Sequence, residues 1–464
     1  MISFIKKLLK IKSKSSLHKK LLSKNTTSLK NILIISREQH RISKTNISQN
    51  ALKVLNRLHH AGYEACLVGG SVRDLLLGVV PKDFDVATNA KPNEVNRLFR
   101  NSMLIGRRFR IVHVQFGREI IEVTTFRGSE EHHIDHKKDH HGMILRDNTF
   151  GDISQDAWRR DFTINALYYN IADSSVIDFT GGYQDLQNKI IRLIGEPEVR
   201  YKEDPVRILR AIRFSAKLNF TLDSKTAEPI KRLAHLVKNV PSARLSEEIF
   251  KVYHNGAAQK GHQLLCEYGL FDLFFPATAH LFKNQTELTP NKEAAKKVGQ
   301  KIILQALENT DHRFAEHKPI MPAFLIAALL WHSLQQEVQT FKKEGTPLLE
   351  ALEKAMGHII HSQNQAVAIP KRYWQVVREI WVLQYRFTRR QGPRPFRLLQ
   401  HPRFRAAYDF LLIRALAGEE SIELADWWTT FQEISQPEQE EMVRTIGCIQ
   451  SQKKPTSTKK RRKT

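Results

Sequence analysis

The short apolar run Ala65-Cys66-Leu67-Val68 breaks into Gly69-Gly70-Ser71 and is soon followed by Asp83-Phe84-Asp85. No other feature restricts the fold as much. A strand ending in two glycines, and opening a helix from Val72 to Leu77 that Gly78 closes, leaves free backbone amides at a corner where the chain can approach a phosphate. A second strand is expected from Lys82 to Ala87. Side chains two apart on a strand share a face, so Asp83 and Asp85 would leave the sheet together, about 6–7 Å apart. Two carboxylates that close repel each other unless a divalent cation lies between them. The plainer alternative is an exposed Asp-x-Asp turn. With Arg73 and Asp74 on the intervening helix, the arrangement suits a site for a triphosphate and a metal ion.

A pair of strands is expected around Gly117-Arg118, within Arg110 to Phe126. Glu122 shares a face with Ile120 and Thr124, and a buried acid in an apolar strand costs free energy unless it is paired or metal-bound. It is therefore the candidate third carboxylate, the alternative being an ion pair with Arg107, Arg108 or Arg110. Three carboxylates with two divalent ions suit phosphoryl or nucleotidyl transfer without a histidine base.

Around this block, helices are expected from Gln49 to His60, from Pro92 to Phe99 and from Arg160 to Tyr168. Short strands are expected near Val176 to Phe179 and from Ile190 to Leu193. Beyond Pro205 the apolar spacing becomes helical: Val206 to Ala216, Thr226 to Leu236, Ser242 to His254, Gly261 to Tyr268, Ala294 to Leu307 and Met321 to Val338. Polar linkers are expected near 255–260, 284–293 and 309–320. The class is α+β, a mixed head followed by helical modules.

Charge is concentrated at the ends. Of a net +25 over 464 residues, residues 1–40 hold ten Lys/Arg against one acid, and residues 451–464 hold seven against none. Such tails suit a polyanion, because neutralised phosphates release condensed counterions. The histidines at 132, 133, 136, 140 and 141 lie in so polar a stretch that a mobile loop is expected there in preference to a metal site. From Trp374 to Trp428 aromatic and arginine residues interleave, among them Trp381, Tyr385, Arg386, Phe387, Arg389 and Arg390. That pattern suits base stacking and phosphate contact, or a helical core, with Trp381 assigned to packing. The 3 cysteines exclude a disulfide framework and have no zinc-ligand spacing. The longest strongly apolar run, Phe324 to Trp331, falls short of the ~20 residues needed to span a bilayer.

The motifs Leu67-Val68-Gly69-Gly70-Ser71-Val72-Arg73-Asp74 and Pro81-Lys82-Asp83-Phe84-Asp85-Val86 resemble the catalytic signature of the class II nucleotidyltransferases. This branch of the polymerase β superfamily comprises bacterial poly(A) polymerases and tRNA CCA-adding enzymes. Arg159-Arg160-Asp161-Phe162-Thr163-Ile164-Asn165, Asp178 with Gly181-Gly182 and Asp185, and Glu203-Asp204-Pro205-Val206-Arg207-Ile208-Leu209-Arg210 extend the match. The resemblance implies two Mg²⁺ ions on Asp83, Asp85 and a third acid, either Glu122 or Asp161. Asp161 would also contact the nucleotide sugar. Gly69, Gly70, Ser71, Arg73, Asp74, Arg160 and Asn165 would line the ATP site. Asp204 and Arg207 would read the base edge from one helix face, with Arg210 directed toward phosphate. Leu104 to Val114, Arg403 to Phe410 and Ile35 to Leu58 resemble the polyadenylating branch, so addition of AMP from ATP to RNA 3′ ends is expected, with ordered CCA addition from CTP and ATP as the alternative.

The implied organisation is a basic, flexible extension (1–48), a nucleotidyltransferase head (49–155), a neck with the nucleotide-recognition region (156–235), a helical body (236–370), a carboxyl-terminal RNA-binding region (371–450) and a disordered tail (451–464). RNA 3′ ends and ATP are the implied partners, with RNA-decay proteins beyond them. The implied location is cytoplasmic, with weak peripheral membrane contact through residues 1–20 left open.

Overall fold

The computed structural model describes residues 32–106, 110–128, 137–138, 144–146, 149–283 and 290–452. The five clustered histidines, Arg107, Arg108, residues 1–31 and residues 453–464 lie outside these. The chain forms two compact units, Met1–Leu236 and Val237–Thr464.

The first unit is built on an eight-stranded sheet. Its strands are β1 (Leu33–Ile35), β2 (Ala65–Val68), β3 (Asp85–Thr88), β4 (Ser102–Ile105), β5 (Ile111–Phe116), β6 (Glu119–Thr125), β7 (Leu167–Asn170) and β8 (Ser175–Asp178), in the spatial order β1-β8-β7-β2-β3-β6-β5-β4. Only β3 and β6 run parallel; the other neighbours are antiparallel. The edge strand β1 comes from the stretch assigned to the amino-terminal extension, and β7 and β8 from the stretch assigned to the neck.

Helix α1 (Gln49–His60) buries Ala51, Val54, Leu55 and Leu58, and the Ser48 hydroxyl caps its first turn by accepting from the amides of Asn50 and Ala51. Helix α2 (Gly70–Leu77) starts directly at the glycine corner and ends on Gly78 in a left-handed conformation. Helices α3 (Pro92–Leu98), α4 (Ile153–Arg159), α5 (Gly182–Gln187), α6 (Pro197–Glu203), α7 (Val206–Leu218) and α8 (Ser224–Leu233) complete the unit.

Three sequence expectations change here. The strand carrying the aspartates begins at Asp85, so Asp83 lies in the bend before it and is exposed. The two carboxylates therefore approach from a bend and a strand end and do not share a strand face. The helix expected from Arg160 to Tyr168 is replaced by a 3-10 turn, Thr163–Asn165, and strand β7, whose four residues are all buried between β2 and β8. Burial of Tyr168 and Tyr169 in the sheet overrides local helical spacing. The strand expected from Ile190 to Leu193 is limited to Ile190–Ile191, while Leu193 forms an isolated bridge with Phe162.

The second unit is helical throughout its described residues. Helices enter all three expected linkers, because one runs Pro290–Ala315, into both 284–293 and 309–320, and another starts at Ala258, within 255–260. Helix α9 (Pro322–Lys343) packs against α10 (Lys371–Phe387), and α10, α11 (Arg394–Leu399), α12 (Phe404–Leu416) and α13 (Ile422–Glu433) carry the aromatic segment. Its large rings point inward: Trp381, Phe387, Trp428 and Phe431 are fully buried. The indole N–H of Trp381 donates to the Ala327 carbonyl (3.1 Å) and that of Trp428 to the Phe387 carbonyl (2.9 Å), satisfying the polar end of each ring. These rings form a core and present no stacking surface. No described helix is long and apolar enough to cross a membrane.

Candidate active site

Gly69 caps α2 with φ +76°, a conformation open to glycine at little cost. A Cβ there would stand 3.6 Å from Arg160 Nη1 and 3.9 Å from Asp85 Oδ2, which locates the corner between a cation and a carboxylate. The Ser71 hydroxyl donates to the Val68 carbonyl (3.0 Å), pinning the corner to the strand it leaves.

Asp85 pairs with Val68 across β2 and with Glu122 across β6. Burial pushes its carboxyl up to about 6; Glu122 and Asp83 push the same way, and Arg160 opposes them. Glu122 is half exposed, 3.4 Å from His113 Nε2 on the neighbouring strand, so the burial cost anticipated for it does not arise. Its close neighbour is the His113 ring, while Arg107 and Arg108 lie outside the described residues. Among the described residues no three His, Cys, Asp or Glu side chains converge as a ready-made metal-ligand group.

A continuous chain of polar contacts runs beside this pair. Buried Arg73 donates from Nε to Asp74 Oδ1 (2.8 Å) and from Nη1 to Asn165 Oδ1 (2.7 Å). Asn165 Nδ2 donates to Asp161 Oδ1 (3.3 Å), which also accepts the Phe162 amide (2.8 Å), and Asp161 Oδ2 accepts Arg210 Nε (2.6 Å). Burial raises the Asp161 carboxyl, but Arg210, the Phe162 amide and Asn165 outweigh it and hold the group down at about 2. The ring of Phe214 anchors the cationic side, with the guanidinium carbons of Arg73, Arg210 and Arg213 at 5.3, 5.3 and 4.8 Å from its centroid.

Arg160 is held by residues that sequence reasoning left out. Its Nη2 meets Asp156 Oδ2 at 2.9 Å and its Nε meets the Tyr168 hydroxyl at 3.0 Å, while that hydroxyl donates to the same Asp156 oxygen at 2.6 Å. Asp204 and Arg207 do not sit on one helix face: Asp204 ends α6 in an extended conformation and Arg207 lies in the first turn of α7. Pro205 sets this break, since the residue before a proline is driven out of helical geometry. Arg207 Nη1 instead donates to Glu203 Oε2 (2.9 Å) and the Arg200 carbonyl (2.7 Å), so Glu203 orients it. Glu203 was visible in the sequence as the acid four residues before Arg207. Asp156 was likewise visible as the acid four residues before Arg160, whereas Tyr168 could be linked to that pair only through the sheet.

Three family models match: "Poly A polymerase head domain" over residues 65–192, "Probable RNA and SrmB- binding site of polymerase A" over 219–282, and "Polymerase A arginine-rich C-terminus" over 344–464. The chain is 51% identical to Poly(A) polymerase I of Salmonella typhimurium over 420 residues, covering 89% of this chain and 88% of that protein. It is 48% identical to Poly(A) polymerase I of Escherichia coli O6:H1 over 438 residues, covering 93% and 92%. Among solved structures, the CCA-adding enzyme of Bacillus stearothermophilus in complex with CTP is similar at TM-score 0.51 and 26% identity, covering 86% of this chain and 82% of that one.

Proposed function

The chain belongs to the poly(A) polymerase family of class II nucleotidyltransferases, and from that membership we propose that it adds AMP from ATP to RNA 3′ ends without a template, releasing pyrophosphate. The carrying observation is the reach of the likeness: 51% identity to a poly(A) polymerase over 89% of the chain, against 42% to a CCA-adding enzyme over 44% of it.

The carboxylates suit Mg²⁺ as hard oxygen donors, and the charge crowding that raises Asp85 is the kind a cation relieves. Asp83, Asp85 and Glu122 would hold the ions. Asp161 is already engaged by Arg210, Asn165 and a backbone amide, which favours Glu122 as the third ligand. Bound Mg²⁺ supplies charge neutralisation at the triphosphate and lowers the pKa of the attacking hydroxyl. The amides of the Gly69-Gly70-Ser71 corner cradle phosphate, Arg73 and Arg210 orient it from fixed positions, and Asp161 holds Arg210 and meets the sugar. Arg160 covers the corner from the opposite side. Arg207, aimed by Glu203, reads the base edge with Asp204.

In this reading residues 49–155 supply the catalytic head, 156–235 the neck, 236–370 the body, and 371–450 with the tail hold RNA electrostatically. The enzyme works in the cytoplasm, residues 1–20 touch anionic membrane weakly, and the tailed RNA passes to decay proteins. Asp83→Ala and Asp85→Ala are expected to abolish incorporation while RNA affinity remains within a few-fold of the parent. Near-normal turnover in either variant contradicts the metal role. Vesicle co-sedimentation with and without residues 1–20 tests the membrane contact, which fails if both chains pellet equally.

A further inference from the structure

In the second unit, the last turn of α10 and the whole of α11 face a cavity of about 280 Å³ lined by Arg386, Arg389, Arg394, Arg397, Leu398 and His401. Arg394 and Arg397 share a face of α11, Arg386 lies in the last turn of α10 and Arg389 just past its end, and the turn through Gly392 (φ +60°) brings the two pairs together. No acidic side chain lines the cavity, and among the described residues none of the four guanidinium groups has a carboxylate partner. His401 adds a further donor: its Nδ1 accepts the Arg403 amide (3.1 Å), so in the neutral ring the proton sits on Nε2. The neighbouring Arg390 belongs to a different structure, packing over Trp427 at 5.4 Å.

Four cations gathered around one hollow repel one another, and an anion relieves that repulsion. The guanidinium fork matches phosphate oxygens two at a time. The rings of Phe387, Phe404, Trp428 and Phe431 are buried in the core beneath, and no Phe, Tyr or Trp lines the cavity for a base to stack on. We propose that this cavity is a backbone clamp for single-stranded RNA, taking two successive phosphodiester groups with two arginines each and reading no bases. The inference rests on the polyadenylation reading for the identity of its polyanion. It adds a discrete site, a stoichiometry and indifference to sequence.

The test uses the full chain with Arg386, Arg389, Arg394 and Arg397 all changed to Gln, and a second variant with all four changed to Lys. RNA affinity is measured against salt on unstructured A-rich and mixed oligonucleotides. The proposal expects the Gln variant to lose roughly tenfold or more in affinity near 0.1 M salt, and its log–log salt slope to fall by about 1.4, at 0.7 per phosphate of a single strand, equally on both RNAs. The Lys variant should keep the slope and lose affinity several-fold, because charge remains and the fork is gone. An unchanged slope in the Gln variant overturns the proposal, as does a loss confined to one RNA sequence. Equilibrium dialysis with ATP alone is the last arm: ATP binding lost in the Gln variant would assign the cavity to free nucleotide and overturn the RNA clamp. Failure of the wild-type chain to incorporate AMP would instead contradict the polyadenylation reading, so the two failures are distinguishable.

Discussion

Asp85 and Glu122 stand opposite each other in register on the only parallel strand pair of the main sheet. An antiparallel partner, β2, leads from Asp85 straight back to the glycine corner, so one strand end joins the phosphate cradle to the acids. The cost of this juxtaposition is carried by Asp85, whose carboxyl burial and its acidic neighbours push up to about 6.

That cost predicts a stability effect in magnesium-free protein. A carboxyl with a raised folded pKa loses stability as pH climbs from the unfolded value, near 4, through about 6, and the loss persists above. Asp85→Asn should therefore unfold later in urea at pH 8 by about 1–3 kcal/mol, with the difference vanishing below pH 4. Equal stability of the two proteins at pH 8 contradicts the crowding.

Asp161 has the opposite sign. Its carboxyl is held at about 2, so it contributes stability above the unfolded value near 4 that is lost as pH falls toward 2. Asp161→Asn should cost about 2 kcal/mol at pH 7 and flatten the parent's fall in stability between pH 4 and pH 2. A variant as stable as its parent at pH 7 would mean that the Arg210 pair contributes nothing net.

Phe214 is a positioning residue, since three guanidinium groups share its ring. Phe214→Leu keeps an apolar side chain and removes the ring face, at about 0.5–1 kcal/mol or more per desolvated contact. KM for ATP should rise several-fold with kcat changed less than twofold. A fall in kcat at constant KM would place the effect in the chemical step.

Glu203→Gln should loosen Arg207 without touching the carboxylates. The expected outcome is a loss of roughly tenfold in the preference for ATP over CTP, on the scale of one charge-assisted hydrogen bond. Unchanged discrimination, measured as the ratio of kcat/KM values, would release Glu203 from this role.

The sequence carried the local parts of this site well. The extent of β2 and of α1 follows from apolar spacing and Gly/Ser punctuation, which act within a few residues. What it could not carry was set by distant partners. Tyr168 looked helical until the sheet claimed it, and only there does its hydroxyl meet the Asp156–Arg160 pair, whose own four-residue spacing is local. Asp204 was legible as an acid but not as a helix end, although Pro205 signalled the break. The carboxyl-terminal aromatics could equally have been platform or core, because periodicity alone does not say what covers a helix face.

The central claim is repeated AMP addition by this site, and nucleotide dependence tests it most directly. Purified full-length protein is incubated with Mg²⁺, an unstructured RNA and each nucleoside triphosphate singly. Long tails with ATP alone, absent in Asp85→Ala, are the predicted result. Incorporation that requires CTP and a tRNA end, and that stops after three nucleotides, would contradict the account.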